Sequence, residues 1–564
     1  MSSDKEIPQK ADFVFQNGVV YTVDHQRSRA EAVAVKGKGI IFVGSNSGAA
    51  EFVGPQTEVI DLAGKMVLPG FIDSHAHVSA TINEDDSVML YHLQTAQDYV
   101  AALKNFAFKH PDLSVIYGHG WNNEAFPPEG PLKEELDAVV SDRPVSLMSN
   151  DGHSIWVNSR ALDMAGITKD TPCPPGGMIE MNPATGEPSG TIRETARDLI
   201  QNVLPPYTIE QLKTGIRDFM LEAARVGITS VHDPMLLLPD SDGQLNGYGS
   251  ARNSILAFEE LVNNAELTCR VRGAILTDPT KGDSQVPALV SACAAQKHPL
   301  FQISGAKVFV DGVVEGGTAY LHEPYAHKPD FRGEPLWEQE QLNALCRATD
   351  RENLQIHIHA IGDAAIRMSL DALADARQQN GRRDSRHLIT HLHIVDYADI
   401  PRFAELEVVG VPQPFWHVKG EYFWGLEAKY LGRERAEKEY PMKSFLDAGV
   451  TLASASDYPV QVPSPPLVGI MLGVLRCIPG DPDPNEILGP GERMTLADMI
   501  ASFTINGAFA NFIENETGSI EVGKKADLVV LERNLFDIPT EAIGDVKVLM
   551  TMFEGNAVQR DATL

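Results

Sequence analysis

His75 and His77, in the run Asp73-Ser74-His75-Ala76-His77, stand two residues apart. In a β-strand that spacing puts both side chains on one face, where two imidazoles can hold one cation side by side. A single such pair is equally well explained by structural histidines with satisfied hydrogen bonds. The spacing recurs, however, in His357 and His359 and in His391 and His393, and Asp457 follows the small-residue run Ala453-Ser454-Ala455-Ser456. Nitrogen and carboxylate donors gathered at one place suit zinc or a similar divalent ion. Lys307, in ISGAKVFVDG, lies inside an apolar stretch where an unpaired ammonium would be costly to bury. Two readings are open for it. One is a salt bridge, with Asp311 on the same strand face as partner. The other is reaction with CO2 to a carbamate, whose reversed charge would let it bridge two metals.

These residues fall at the ends of short apolar strands. Eight candidates alternate with helix-like stretches: VLPGFIDSHAHV, GITSVHD, CRVRGAIL, ISGAKVFVDG, LQIHIHAIGD, HLITHLHIV, VVGVPQPF and VTLASASDYPV. Amphipathic patterns such as DAAIRMSLDALADARQQ and DIPRFAEL follow several of them. Eight strands in a βα rhythm predict an α/β fold, a (β/α)8 TIM barrel, with a doubly wound open sheet as the alternative. Active sites of such barrels form at the C-terminal strand ends, where the histidines and Asp457 fall. That regularity favours a metal centre over scattered structural histidines.

Residues 12–68 read as short strands cut by turns at Asn17-Gly18, Gly37-Lys38-Gly39 and Gly64. The same texture returns near the end in GSIEVGKKADLVVLE and VKVLMTMFEGNAV. Each segment is too small to bury a core alone. Residues 1–68 and 512–564 are therefore expected to form one composite β-sandwich domain, with the barrel spanning 69–511. A stretch from about 80 to 214, rich in Pro, Gly and Trp, interrupts the rhythm after the first strand and reads as an inserted lid subdomain.

The composition narrows the function classes. A chain of 564 residues suggests two or three units, and its net charge of −30 argues against nucleic acid or an anionic membrane as partner. No apolar run is long enough to span a membrane, and the polar N-terminus lacks the apolar region of a secretory signal. The five cysteines are odd in number, scattered and without CxxC spacing, which fits a reducing, cytoplasmic setting. The expected partner is a small-molecule substrate, with a homodimer left open.

Taken together, VLPGFIDSHAHV, KVFVDG, HAIGD, the histidine of ITHLHIVD, ASDYPV and GSIEVGKKADLVVLE resemble the amidohydrolase superfamily. Within it they resemble the amidohydrolase 3 branch, which includes N-substituted formamide deformylases. The resemblance runs from about residue 12 to 558, with the motifs in the family's order. It implies metal ligands at His75, His77, a carboxylated Lys307, His359, His391 and Asp457, holding one or two Zn2+ or other divalent ions. His357 and His393 match no ligand in that pattern and are expected behind the ligands or in structural roles. Relatives resembling D-aminoacylase use a bridging cysteine, but no cysteine here stands at a strand end in a comparable motif. The branch's Gln-Pro-x-His step is one residue longer here, Gln413-Pro414-Phe415-Trp416-His417, which leaves His417 without a transferable role.

The resemblance further implies hydrolysis of a non-peptide amide bond by a metal-activated hydroxide, with Asp457 as the catalytic proton acceptor. Substrate choice would lie in loops at 119–126, 150–159, 313–325 and 414–426, which carry several of the chain's aromatics. His153 and Trp156 match a DxHxxWVNS-like element of the branch, and with Trp121, Glu315 and Trp416 they are the candidate substrate contacts. These residues favour a small, partly apolar or aromatic N-acyl or N-formyl substrate; packing of the lid against the barrel explains any single aromatic equally well. Cyclic amide hydrolysis, deamination or decarboxylation could use the same site. A catalytically silent binding protein is the alternative from another class.

Overall fold

A computed structural model describes residues 9–238, 249–420, 423–461, 464–480 and 483–564. Residues 1–8 of the N-terminal segment and residues 421 and 422 of the 414–426 loop lie outside these. The central sheet has seven parallel strands: β1 (Phe71–Asp73), β2 (Ile228–Leu236), β3 (Arg270–Leu276), β4 (Phe301–Phe309), β5 (Gln355–Ala360), β6 (Leu388–His391) and β7 (Val409–Val411). They pair in sequence order, each with the next. Every residue of β2, β3 and β5 is buried, as expected of parallel strands covered on both faces.

Residues 451–457 are not a regular strand, yet they hydrogen-bond to both edges of this sheet. On the β7 side the Gly410 N–H donates to Thr451 O at 3.0 Å and the Ala453 N–H to Gly410 O at 2.9 Å. On the β1 side the Ser74 N–H donates to Ser454 O at 3.2 Å and the Asp457 N–H to His75 O at 2.9 Å. The result is a mixed α/β, TIM-barrel-like fold. A doubly wound open sheet would need a reversal of strand order, and the order here has none.

Local chemistry explains how β4 and β5 meet. A side chain at Gly305 would place a Cβ 1.8 Å from Gln355 O, so only glycine allows the approach. The register then sets Lys307 opposite His357 and Phe309 opposite His359. Before β2, helix Ile209–Arg225 starts at a capping box of Thr208 and Gln211.

The stretch read as one strand, VLPGFIDSHAHV, divides at Gly70. Met66–Pro69 pairs antiparallel with Leu528–Leu531, so strands from both chain ends share a sheet, while Phe71–Asp73 begins the barrel-like one. Phe15, Val33, Val67, Leu528 and Met550 pack in a common core there. Between β1 and β2 a separate sheet of six strands runs from Val88–Met89 to Pro188–Arg193. The expected limit of the insertion near residue 214 falls inside helix Ile209–Arg225, because the capping box starts that helix earlier. Among the described residues no helix is long and apolar enough to cross a membrane.

Candidate metal centre

At the C-terminal rim of the strands lies a cavity. His75, His77, Lys307, His359, His391 and Asp457 all line it. The tightest group is His75, His77 and Asp457, whose donor atoms lie within 4.8 Å of one another. Asp457 Oδ1 is 2.9 Å from His77 Nε2 and 3.3 Å from His75 Nε2. Two of the lining residues have backbones in the left-handed region, His391 at φ 79° and Asp457 at φ 61°. Non-glycine residues rarely adopt it, and such strain gathers where side chains must be aimed. Asp73 locks the aim of Asp457 by accepting the Ser456 N–H at 3.0 Å. Burial pushes the Asp457 carboxyl up, but the hydrogen bond from His77, with smaller contributions from the basic groups around it, outweighs burial and holds it at about 2.

Hydrogen-bond partners fix the histidine tautomers. Asn511 Nδ2 donates to Gly507 O at 2.9 Å, which turns its Oδ1 towards His232 Nδ1 at 2.8 Å. His232 must therefore donate from Nδ1 and accept on Nε2, from His357 Nδ1 at 3.2 Å. His357 Nε2 in turn accepts from His75 Nδ1 at 2.8 Å. His75 is left with a lone pair on Nε2, facing Asp457. Burial keeps these rings neutral, holding His75 and His357 well below the usual imidazole range and His232 at about 4.

The second pair is set the same way. His359 Nε2 donates to Gly312 O at 3.1 Å, leaving a lone pair on Nδ1. Gln413 Nε2 donates to Thr390 Oγ1 and Val411 O, which turns Oε1 to His391 Nδ1 at 3.1 Å and puts the His391 lone pair on Nε2. The two lone pairs then face each other at 2.9 Å, and burial holds both rings neutral. Such an arrangement is repulsive unless a cation lies close to both. The donor set therefore fits a divalent metal ion.

Lys307 is fully buried, and its Nζ has no hydrogen-bond partner. It sits 4.6 Å from the centre of the Phe309 ring. Burial pulls it down to about 7, with Asp457 and Asp233 acting in the opposite direction. The salt bridge to Asp311 is not formed. That carboxylate accepts the N–H groups of Tyr320, Ile361 and Gly362 at 2.8, 3.0 and 2.9 Å, tying down the backbone after β5.

Of the candidate substrate contacts, His153, Glu315 and Trp416 line the cavity. His153 Nδ1 is 2.9 Å from Glu194 Oε2; burial opposes its charge, but the carboxylate prevails and raises its pKa. Trp121 and Trp156 are elsewhere. Both are fully buried in the core of the inserted sheet around Phe126, with indole N–H groups donating to Leu147 O at 2.8 Å and Leu132 O at 2.9 Å. In a strand, residues three apart face opposite ways, so the element that presents His153 turns Trp156 inward. His357 lies behind His75, as expected. His417 stacks on Tyr440 at 4.7 Å and hydrogen-bonds through neither ring nitrogen.

Sequence reasoning missed His232, Gln413 and Asn511. His232 did carry a signal, since it stands next to last in the strand candidate GITSVHD. Gln413 stood in the Gln-Pro-x-His step without a role, and Asn511 sits at a helix end that no spacing marks.

The chain is similar to known proteins along most of its length. The model of the amidohydrolase family matches residues 58–559. The chain is 30% identical over 555 residues to the putative amidohydrolase YtcJ of Bacillus subtilis, covering 97% of this chain and 99% of that one. It is 28% identical over 561 residues to an N-substituted formamide deformylase of Arthrobacter pascens, covering 97% and 98%. Its fold is similar to the crystal structure of an uncharacterized metal-dependent hydrolase from Pyrococcus horikoshii, with a TM-score of 0.72 at 22% identity over 94% of this chain and 99% of that one.

Proposed function

The chain belongs to the amidohydrolase family and is a hydrolase of carbon–nitrogen bonds, and from that premise we propose that it cleaves linear non-peptide amides, N-acyl or N-formyl amines with an apolar or aromatic substituent. The observation that carries this reading is the gathering of six potential ligands on one cavity wall, with imidazole lone pairs facing each other and facing Asp457. His75, His77, His359, His391 and Asp457 would hold Zn2+ or a similar divalent ion. Such an ion supplies Lewis acidity, polarising a carbonyl and acidifying water.

The chain's own residues do the rest. Asp457, held at about 2, is ionised at neutral pH and can take a proton from water on its carboxylate and hand it to the leaving nitrogen. His153, whose pKa Glu194 raises, faces the same cavity and in its protonated form can donate a hydrogen bond to the carbonyl oxygen. Lys307 carries a carbamate: its neutral amine adds to CO2, a C–N bond forms and one proton is released. The product is an anion whose two oxygens can serve as ligands. An amine without a hydrogen-bond partner, buried among metal-ligand types, supports this. Phe309, Val313, Ile361, Trp416, Tyr440 and Val460 give the cavity an apolar side, which suits the substituent of the amine.

A test is to incubate metal-replete protein with N-formyl- and N-acetylbenzylamine, a cyclic amide and a carbamate, measuring amine release. The expected result is release from the linear amides alone, abolished by a chelator and restored by Zn2+. Turnover confined to the cyclic amide or the carbamate, or no turnover, would overturn the substrate class.

A further inference from the structure

A second group of potential ligands borders the same cavity. His393 follows β6, Glu427 lies on helix Phe423–Leu431 and Glu439 precedes Tyr440. Their donor atoms lie within 4.8 Å of one another, and all three residues are buried. His393 Nε2 is 3.2 Å from Glu427 Oε1 and 3.5 Å from Glu439 Oε1.

Hydrogen bonding does not account for the arrangement. His393 Nε2 makes no properly directed hydrogen bond to either carboxylate, and Glu427 and Glu439 can hydrogen-bond to each other only when one of them is protonated; with both ionised, neither oxygen of Glu439 has a donor. Among the described residues His393 is the only basic side chain within ion-pair distance of either carboxylate. Arg476 is close, but it donates to the backbone carbonyls of Glu439, Tyr440 and Leu488. Two buried carboxyls without a cation are an expensive arrangement. Burial holds both well above the usual carboxylate range, helped by the charge of Glu439 at Glu427 and by that of Glu315 at Glu439.

Distances decide which cation fits. An ammonium held by acceptors at about 2.8–2.9 Å would spread them to about 4.6 Å apart. A tetrahedral metal with bonds of about 2.0–2.1 Å needs its ligands about 3.3–3.4 Å apart. The two His393–carboxylate separations, 3.2 and 3.5 Å, are short for an ammonium and compatible with the metal. A divalent ion would favour the ionised form of both carboxyls, whose two charges balance its own.

We propose that His393, Glu427 and Glu439 form a separate metal site that binds one divalent transition-metal ion such as Zn2+. His393 and Glu427 line the cavity that also holds the strand-end residues. An ion there would tie helix Phe423–Leu431 to the end of β6 and brace the substrate wall. The proposal does not depend on the substrate class given above.

The test is metal content. Full-length protein is stripped with a chelator, reloaded with Zn2+ and analysed for zinc per chain by mass spectrometry. Glu427→Gln/Glu439→Gln should bind one zinc fewer than wild type, whereas His75→Asn/His77→Asn should keep that zinc and lose metal from the strand ends. His393→Gln carries the same expectation as the double Gln variant and replaces it should that variant not fold. Wild-type zinc content in the Gln variants would overturn the proposal. So would wild-type zinc content combined with lost binding of benzylamine, which would make the cluster a subsite for an organic cation.

Discussion

The two walls of the cavity use the same donor types but are built differently. On the strand-end wall, ligands sit at positions fixed by backbone register: Lys307 opposite His357, Phe309 opposite His359, and Ala360 opposite His391. His75, His359 and His391 have their other nitrogen engaged, through the relay that ends at Asn511, through Gly312 O and through Gln413, so their orientation is set before any ion arrives. In the second group, His393, Glu427 and Glu439 come from loops and a short helix, and His393 Nε2 makes no directed hydrogen bond. One wall is preorganised by sheet hydrogen bonds and outer partners. The other is held by packing and leaves its charges uncompensated. Preorganisation is what catalysis requires; an uncompensated cluster is what an ion stabilises most.

The comparison can be tested from its strongest side downwards. Asp457→Asn keeps the size of the side chain but cannot accept a proton, and should lower kcat about 10²–10⁴-fold with the fold intact. Wild-type turnover in this variant would remove the functional distinction between the walls. Next is the lysine, in metal-free and CO2-free protein. Its folded pKa of about 7 lies below the ordinary lysine value of 10.5, so between those values the unfolded chain binds a proton that the folded one lacks. Stability should therefore rise with pH across that window, and Lys307→Met should flatten the rise in urea melts at several pH values. An unchanged slope would mean that the amine is solvated after all.

Asn511→Leu removes the anchor that sets the tautomers of His232, His357 and His75. Zinc affinity at the strand-end wall should fall about 10–100-fold in calorimetric titration, with the His393 cluster unaffected. Equal weakening of both sites would show that the relay acts through general stability. The smallest effect is expected for Trp156→Phe, which loses the hydrogen bond to Leu132 O in the inserted sheet. It should cost about 1 kcal/mol in stability with KM unchanged. A tenfold rise in KM would return this tryptophan to the substrate contacts.

Much of the strand-end wall was legible in the sequence. The βα rhythm and the recurring two-residue spacing of histidines both express strand periodicity, and periodicity survives in a one-dimensional string. Each expected strand segment is found, although 451–457 closes the sheet without forming a regular strand. The division at Gly70 was not legible, since Met66–Pro69 and Phe71–Asp73 are equally apolar and only their partners differ. Trp121 and Trp156 show the same limit, because an aromatic in a loop-rich stretch looks alike whether it faces a cavity or a core.

What the sequence by itself determined was the kind of fold, the family it resembles, and the ligand types that strands carry to their ends. Only the tertiary structure decided which lone pair each histidine presents, that Asp311 serves backbone N–H groups and leaves Lys307 without a partner, and that His393 meets Glu427 and Glu439. The physical reason is one of range. Strand period and apolar patterning are local and repeat every two residues. A tautomer, or a cluster drawn from residues 393, 427 and 439, depends on partners brought together only when the whole chain packs.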